Sequence, residues 1–133
     1  MSNDMQHLKM EWNGIRFIMK PKALIVESTR LFQNILTLTM ADVGIECHVF
    51  SSGREALEAS HDHKYTFIVT SRTLSDISGE IFLQLFRDRH GIDDALTIML
   101  TSSETSGILL EANKAGFKLV FSKKILYLCR ILL

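Results

Sequence analysis

Residues 23–28, ALIVES, are the stretch that decides the fold class. Ala23–Val26 is a short, fully apolar run with β-branched residues, a pattern typical of a strand buried on both faces of a parallel sheet. Ser28 and Thr29 follow as candidate helix N-caps. Apolar residues then recur at helical spacing until Gly44, a residue type that commonly ends helices. The stretch therefore predicts a buried strand that leads directly into a helix.

The same alternation of strand and helix continues to the end of the chain. The further predicted strands cover residues 47–50, 65–70, 96–100 and 117–121, and the helices that follow them begin near residues 52, 79, 106 and 124. Five strands and five helices in alternation, joined by short connections, predict an α/β fold. We expect a doubly wound, flavodoxin-like, five-stranded parallel sheet of order 2-1-3-4-5, with helices on both faces.

Composition narrows the possible functions. The chain has 133 residues, enough for one domain with its own core. Lys and Arg together number 15, as do Asp and Glu, so the balanced charge argues against nucleic-acid binding. No apolar run approaches the roughly 18 residues of a membrane span. The two cysteines, Cys47 and Cys129, are too few for a disulfide framework, and we expect both to be reduced side chains buried in the apolar core. Reduced cysteines are typical of cytosolic proteins, so we expect a cytoplasmic protein.

Residues 1–20 differ from the rest of the chain and are assigned to an N-terminal extension. Polar residues and scattered methionines give way to Trp12, Ile15, Phe17 and Ile18, without a clean helical or strand period. Two interpretations remain open. The segment is either a poorly ordered, flexible leader or a segment that packs its apolar residues on the domain or on a partner. The second unit, residues 21–133, is the domain itself.

Polar residues stand where the predicted strands end. Glu27 and Ser28 follow the first strand, Ser71 the third, Thr101 the fourth and Lys123 the fifth. In doubly wound folds, sites form at the carboxyl ends of the strands, beside the point where the strand order reverses. These five residues are therefore the candidate site.

The segments around these residues resemble the receiver domain of two-component response regulators, a CheY-like family. The resemblance extends from about Lys22 to the C-terminus. ALIVES resembles the family's first strand, and residues 67–79, FIVTSRTLSDISG, resemble the segment that holds the phosphoacceptor Asp. Residues 97–103, TIMLTSS, resemble the strand with the Ser/Thr switch, and residues 111–125, EANKAGFKLVFSKKI, resemble the segment with the family's Lys.

The resemblance implies a site in which a carboxylate accepts a phosphoryl group from phosphohistidine. In such a site Mg²⁺ binds the phosphoryl oxygens, a Lys stabilises their charge and a hydroxyl hydrogen-bonds to them. On this basis Glu27 stands at the first acidic position, Thr101 at the switch hydroxyl and Lys123 at the phosphate-binding Lys. Ser28 replaces the second acid, and Ser71 stands at the position equivalent to the phosphoacceptor Asp. The nucleophile and most of the usual carboxylates are therefore missing.

Two further positions depart from the family. Lys124 stands where Pro is usual, and Val120 stands where an aromatic switch residue is common. Because only one acid and one Lys remain, the pocket is neutral, and we predict that Glu27 and Lys123 pair directly. A single carboxylate is a poor Mg²⁺ site, so we expect neither Mg²⁺ nor another cofactor.

Two further phosphorylation sites and one metal site are conceivable from the sequence. Asp76 could replace the missing acceptor, but it follows the strand in a loop from which its carboxylate would not meet Lys123. A Ser kinase could act on Ser71. The motif His61-Asp62-His63 has two spaced imidazoles but no further ligands, so it is interpreted as a solvated loop and no metal site is predicted.

The last predicted helix is unusually apolar for a surface helix. Its apolar residues are interpreted as an interface, with the principal contacts at Ile125, Leu128, Ile131 and Leu132. Either the natural chain continues beyond this helix, which is then truncated, or a partner covers its outer face. Receivers often dimerise through this helix and the neighbouring strand and helix, so we expect a protein partner or a homodimer to bind through the last strand and helix.

These observations favour a degenerate receiver, or pseudo-receiver, in bacterial signal transduction. It would act by protein–protein contact or dimerisation rather than by Asp phosphorylation, as the N-terminal part of a larger protein whose output domain lies outside this chain. It would bind neither nucleic acid nor membrane. The alternatives are a phosphoacceptor that uses a non-standard residue, and a domain that binds a small anion through Lys123 and Ser71. An enzyme is not expected, since no G-x-S-x-G elbow or phosphate-binding loop is present.

Overall fold

The computed structural model describes residues 8–12, 15–59, 64–92, 94–103 and 105–132. The strands are β1 (Leu8–Trp12), β2 (Ile15–Met19), β3 (Lys22–Val26), β4 (Glu46–Phe50), β5 (Phe67–Ser71), β6 (Leu96–Thr101) and β7 (Leu119–Ser122). The helices are α1 (Arg30–Asp42), α2 (Gly53–Ala59), α3 (Gly79–His90), α4 (Ser106–Ala115) and α5 (Lys123–Leu132).

Strands β3 to β7 form one parallel sheet in the order β4-β3-β5-β6-β7. Counted over these five strands, the order is 2-1-3-4-5, so the predicted doubly wound fold is confirmed. Strand β3 lies between β4 and β5, and Ala23–Val26 is fully buried. This burial explains why the segment is continuously apolar, since a parallel strand covered on both faces has no solvent side.

Each face of the sheet has its own core. Successive residues of a strand face opposite sides, so Leu24 packs with α2, α3 and α4, whereas Ile25 packs with α1 and α5. The largest side chain of the first core is Phe82 of α3, which is fully buried. The two cores hold the strands in register and therefore fix the carboxyl edge of the sheet, where the candidate site residues lie.

Several predicted helix ends are present. Gly44 and Gly116 follow α1 and α4 with φ of +78° and +106°, the left-handed region that favours glycine. At the start of α2, the Glu55 N–H donates to Ser52 Oγ at 3.2 Å, as in the S-x-x-E capping motif that Ser52 and Glu55 form in the sequence. None of the helices in the described residues is long and apolar enough to cross a membrane.

The N-terminal extension contains a β-hairpin, for which the sequence pattern gave no prediction. Strands β1 and β2 pair antiparallel, Leu8 opposite Met19 and Trp12 opposite Ile15, in a two-stranded sheet separate from the five-stranded one. Residues 13 and 14 lie outside the described residues, but their identities, Asn-Gly, are the strongest short sequence signal for a hairpin. That dipeptide could have predicted the element.

The end of the chain also differs in detail from the prediction. Helix α5 begins at Lys123, directly after β7 and one residue earlier than expected. The Lys124 N–H donates to Ser122 Oγ at 3.2 Å, a hydrogen bond that the Pro usual at this position could not make. The substitution of Pro by Lys is therefore compatible with a helix that starts without an intervening loop.

Candidate functional site

Glu27 is the first residue after strand β3, which lies between β4 and β5, and its side chain is 1% exposed. Its Oε1 lies 2.7 Å from Nζ of Lys123. Its Oε2 accepts hydrogen bonds from the backbone N–H of Thr29 at 2.8 Å and from the Thr29 hydroxyl at 3.0 Å. Both oxygens of the buried carboxylate are therefore engaged. Thr29 is the N-cap residue of α1 by position, but its hydroxyl donates to Glu27 and makes no capping hydrogen bond to the helix.

Lys123 reaches Glu27 from the junction of β7 and α5. Its side chain is 14% exposed, and Nζ lies 5.0 Å from the ring centroid of Phe32 in α1. A carboxylate and an aromatic face both stabilise an ammonium ion, the second by about 0.5–1 kcal/mol or more when desolvated. The ion pair that the sequence predicted between Glu27 and Lys123 is thus present.

The remaining candidate residues occupy the neighbouring strand ends. Ser71 ends β5 and Thr101 ends β6, and both are buried. Thr101 Oγ1 donates to the Ser103 carbonyl at 2.9 Å and accepts from the Ser103 N–H at 3.2 Å, so a local turn occupies this hydroxyl. Ser28 is exposed. The structure therefore brings Glu27 and Lys123 into contact but leaves Ser28 at the surface.

A close backbone approach shapes the β5 end of the site. A Cβ on Gly79, the first residue of α3, would lie 2.5 Å from the carbonyl oxygen of Ser71 and 3.2 Å from Cα of Arg72. The Gly79 N–H donates to the Arg72 carbonyl at 2.9 Å. Only glycine fits here, so the sequence Ser78-Gly79 at the helix start reflects contact with the strand end that carries Ser71.

Asp76 has a structural role that the sequence did not reveal. Its carboxylate accepts hydrogen bonds from the N–H groups of Gly53 at 3.0 Å, Arg54 at 2.9 Å and Ile77 at 2.9 Å. Partial desolvation raises the pKa of Asp76, but these N–H donors outweigh it and hold the pKa below its ordinary value. Asp76 therefore caps the start of α2 and ties the β5–α3 loop to it.

The surface around β7 and α5 carries unburied apolar residues. On α5, Ile125, Leu128 and Ile131 are 55%, 49% and 60% exposed. Leu119 and Phe121 of β7 are also exposed. The side chain of Leu132, the fourth predicted interface residue, lies outside the described residues, as does the motif His61-Asp62-His63. We call the five described residues the β7–α5 surface.

The exposure of Cys129 corrects the sequence analysis, which expected a buried apolar filler. The inward-facing position of this part of α5 is taken by Leu126, which packs against the core. Cys129 is three residues further along the helix, and its thiol is exposed at the surface. Cys47 is half-buried against the same core. Among the residues that the structure describes, no group of three or more His, Cys, Asp or Glu could hold a metal ion.

Comparison with known proteins decides the family. Residues 23–127 match the profile of the response regulator receiver domain. The chain belongs to this receiver family. A comparison with curated protein sequences gave no match.

Solved structures support the fold of this receiver domain. Chemotaxis response regulator CheY4 of Vibrio cholerae is similar with a TM-score of 0.73 and 21% identity, over 79% of this chain and 88% of CheY4. The HemR receiver domain of Leptospira biflexa has a TM-score of 0.70 and 17% identity, over 84% and 91%. A response regulator from Burkholderia pseudomallei, solved with a phosphorylated aspartic acid and a calcium ion, has a TM-score of 0.70 and 21% identity, over 78% and 60%.

The receiver profile starts at residue 23, so the β1–β2 hairpin lies outside the family domain. Within the receiver, the order of the strands agrees with the resemblance found in the sequence. The capping role of Asp76 and the hairpin are the features that the sequence interpretation missed.

Proposed function

We propose that this receiver domain signals through protein contacts and is not phosphorylated on an aspartate. The observation that carries the proposal is the 2.7 Å ion pair between Lys123 and Glu27, in a pocket where β5 ends in Ser71. An acyl phosphate needs a carboxylate nucleophile, and a Ser hydroxyl needs an activating base to attack phosphorus. The Lys that would stabilise a phosphoryl group is already neutralised by the remaining acid.

The ligand set also argues against Mg²⁺. Mg²⁺ requires near-octahedral oxygen coordination, usually with carboxylates and several waters. Among the described residues that directly follow β3, β5, β6 and β7, Glu27 alone carries a carboxylate; its Oε1 is ion-paired with Lys123 and its Oε2 accepts hydrogen bonds from Thr29. A metal ion would have to displace the ammonium group from a side chain that is 1% exposed. The receiver is therefore proposed to need no cofactor.

The proposed working surface is the β7–α5 surface. Five exposed apolar residues on one strand and one helix form a patch of the kind that marks protein interaction sites. We propose that this surface binds a second copy or another protein in the cytoplasm. An output domain outside this chain would receive the signal, and the receiver itself would act neither as an enzyme nor on nucleic acid or membrane.

The phosphorylation part of the proposal is tested by intact mass analysis after incubation with acetyl phosphate and Mg²⁺. The expected result is no adduct on the wild-type chain. The double variant Ser28→Asp, Ser71→Asp restores two missing carboxylates and should gain an adduct of one phosphoryl group, which shows that the reagent works. A stoichiometric adduct on the wild-type chain overturns the proposal, and its loss in Asp76→Asn would identify the alternative acceptor.

The contact part is tested by size-exclusion chromatography with light scattering. We expect a dimer both before and after acetyl phosphate treatment. Leu128→Lys should weaken the dimer, whereas Leu31→Lys, at a position 52% exposed on α1, is the matched control and should leave it intact. Equal effects of the two substitutions would contradict a specific role of the β7–α5 surface.

A further inference from the structure

Helix α5 meets the rest of the receiver along one narrow stripe. Lys123, Leu126 and Arg130 are spaced by three and four residues, so they lie on the same side of the helix. Their side chains are partly buried, whereas the other described side chains of α5 are exposed, at residues 124, 125, 127–129 and 131. No described side chain of α5 is fully buried, so the helix is held by this stripe alone.

The stripe consists of one apolar contact between two ion pairs. Leu126 packs against the second core, which contains Ile25. At the start of the helix, Nζ of Lys123 lies 2.7 Å from the carboxylate of Glu27. Two turns later, Nη1 of Arg130 lies 2.8 Å from Oδ2 of Asp42, the last residue of α1. Charge therefore holds both ends of α5, and a single apolar side chain holds its middle.

The sequence of α5 makes the helix dependent on these partners. Its first turn contains Lys123 and Lys124 and no acidic residue. The N-terminal end of a helix carries a partial positive charge, so cations there are unfavourable and an anion is favourable. Glu27 supplies this anion from the end of β3. With ten residues, α5 is also too short to be stable as an isolated helix in water.

The helix covers the sheet beside it incompletely. Leu119 and Phe121 of β7 lie in register with Ile98 and Leu100 of β6, which belong to the second core. Register partners on neighbouring strands share a face, so Leu119 and Phe121 face the side of the sheet on which α5 packs. They are nevertheless 40% and 47% exposed. If α5 left the sheet, this apolar area would extend to the core residues that Leu126 covers.

We propose that α5 is a releasable helix, and that the ion pairs at its two ends set how often it leaves the sheet. Elements with few buried contacts open locally at a lower free energy than the core of a domain. Because Lys123 belongs both to the stripe and to the candidate site, a change that separates it from Glu27 increases the release. The inference assigns a regulation to the β7–α5 surface and rests on the contact function proposed for it.

Hydrogen–deuterium exchange of the backbone amides tests the pair at the end of the helix. Arg130→Gln and Asp42→Asn should each speed exchange in α5 about two- to fivefold, as expected for the loss of one exposed ion pair, and leave β3 and β5 unchanged. The double variant should exchange no faster than the single variants, since both remove the same pair. Lys124→Gln, which removes an exposed cation from the same helix, is the matched control and should not speed exchange.

Glu27→Gln tests the link between the site and the helix. Because it breaks a largely buried pair, exchange in α5 should rise at least about tenfold more than exchange in β5. An equal rise in the two elements would show unfolding of the whole domain and would contradict a separate release of α5.

All exchange measurements are made in the Leu128→Lys background, so that a change in dimerisation cannot produce the result. Insensitivity of α5 to both Arg130→Gln and Asp42→Asn refutes the release, even where Leu128→Lys breaks the dimer and so supports the contact function. A monomeric wild-type chain refutes the proposed dimer, whereas the expected response of α5 in that chain still supports the release.

Discussion

Nζ of Lys123 lies 2.7 Å from Oε1 of Glu27, with the carboxylate 1% and the ammonium group's side chain 14% exposed. The acid that follows the inner strand β3 and the base that follows the edge strand β7 thus neutralise each other. In the proposed function, this pair is a structural contact and takes no part in phosphoryl transfer. Breaking it should affect stability and anion binding together.

Glu27→Gln should destabilise the domain, because it removes the charge partner of a largely buried ammonium ion. Breaking a buried ion pair from one side costs about 3–5 kcal/mol, and the access of Lys123 to solvent places the expected loss nearer 2–4 kcal/mol. The freed cation should also let inorganic phosphate raise the melting temperature of the variant, whereas phosphate should not affect the wild type. Urea unfolding and thermal shift measure the two effects.

The adjacent lysine provides the control for this pair. Lys123→Gln should cost a similar free energy of unfolding, whereas Lys124→Gln, at an exposed position, should change it by less than about 0.5 kcal/mol. A phosphate response in wild type equal to that of Glu27→Gln would favour the alternative of an anion-binding domain.

Gly79→Ala should destabilise the fold by about 1–3 kcal/mol, the usual cost of overpacking. The new Cβ would lie 2.5 Å from the Ser71 carbonyl oxygen, and backbone atoms cannot move aside as a flexible side chain can. Gly107 in α4 is the control, since a Cβ there meets only Thr105 Oγ1, at 3.9 Å. Gly107→Ala should be neutral or stabilising by up to about 1 kcal/mol. Urea unfolding of the two variants decides whether the approach is as tight as described.

Asp76→Asn should lower stability at neutral pH, and the difference from wild type should disappear in acid. The pKa of Asp76 is lowered in the folded state, so its stabilising effect is present above the ordinary pKa of about 3.9 and is lost as pH falls through the lower folded value. Urea unfolding at pH 7 and at several values below 3.9 measures this. Asp94→Asn, at an exposed position, is the control and should change the free energy of unfolding at pH 7 by less than about 0.5 kcal/mol. A difference that persists undiminished in acid would contradict the role of the charge.

Tyr65 should ionise only near pH 12, because burial and the nearby charge of Glu46 raise the pKa of Tyr65 to about 12. Its hydroxyl lies 2.9 Å from Nδ1 of His48. The unfolded chain ionises this group near pH 10, so folding stability should fall by roughly 2–3 kcal/mol between pH 10 and 12. Tyr65→Phe should lack both this loss and the late ultraviolet absorbance change, whereas Tyr127→Phe should retain them.

Local patterns were sufficient to predict the secondary structure and strand order of the receiver. The run Ala23–Val26 is continuously apolar, so it favours a position inside the sheet, and the structure buries it. The glycines at 44 and 116 end helices because glycine adopts a positive φ without strain. Alternation of strands and helices, with right-handed crossovers, leaves few ways to order a parallel sheet. The hairpin was missed although its signal, Asn-Gly between two apolar segments, is also local.

Contacts between distant residues required the tertiary structure. Asp76 caps the start of α2 through Gly53 and Arg54, which lie 23 and 22 residues earlier in the chain, and no local pattern specifies these partners. The sequence predicted a Glu27–Lys123 pair from the resemblance and the charges, but the diversion of Thr29 from helix capping to Glu27 depends on packing around the carboxylate. The exposure of Cys129, likewise, follows from which side of α5 meets the core.

The sequence by itself determined the receiver fold and the presence of a serine, Ser71, at the end of β5, because residue identity and spacing carry both. Only the tertiary structure decided how the remaining charges are used and which apolar residues stay exposed. Burial and pairing depend on side chains that meet from strands β3 and β7 and from helices α1 and α5, which lie far apart along the chain. An apolar side chain favours burial, but whether it is buried depends on which other elements of the fold pack against it.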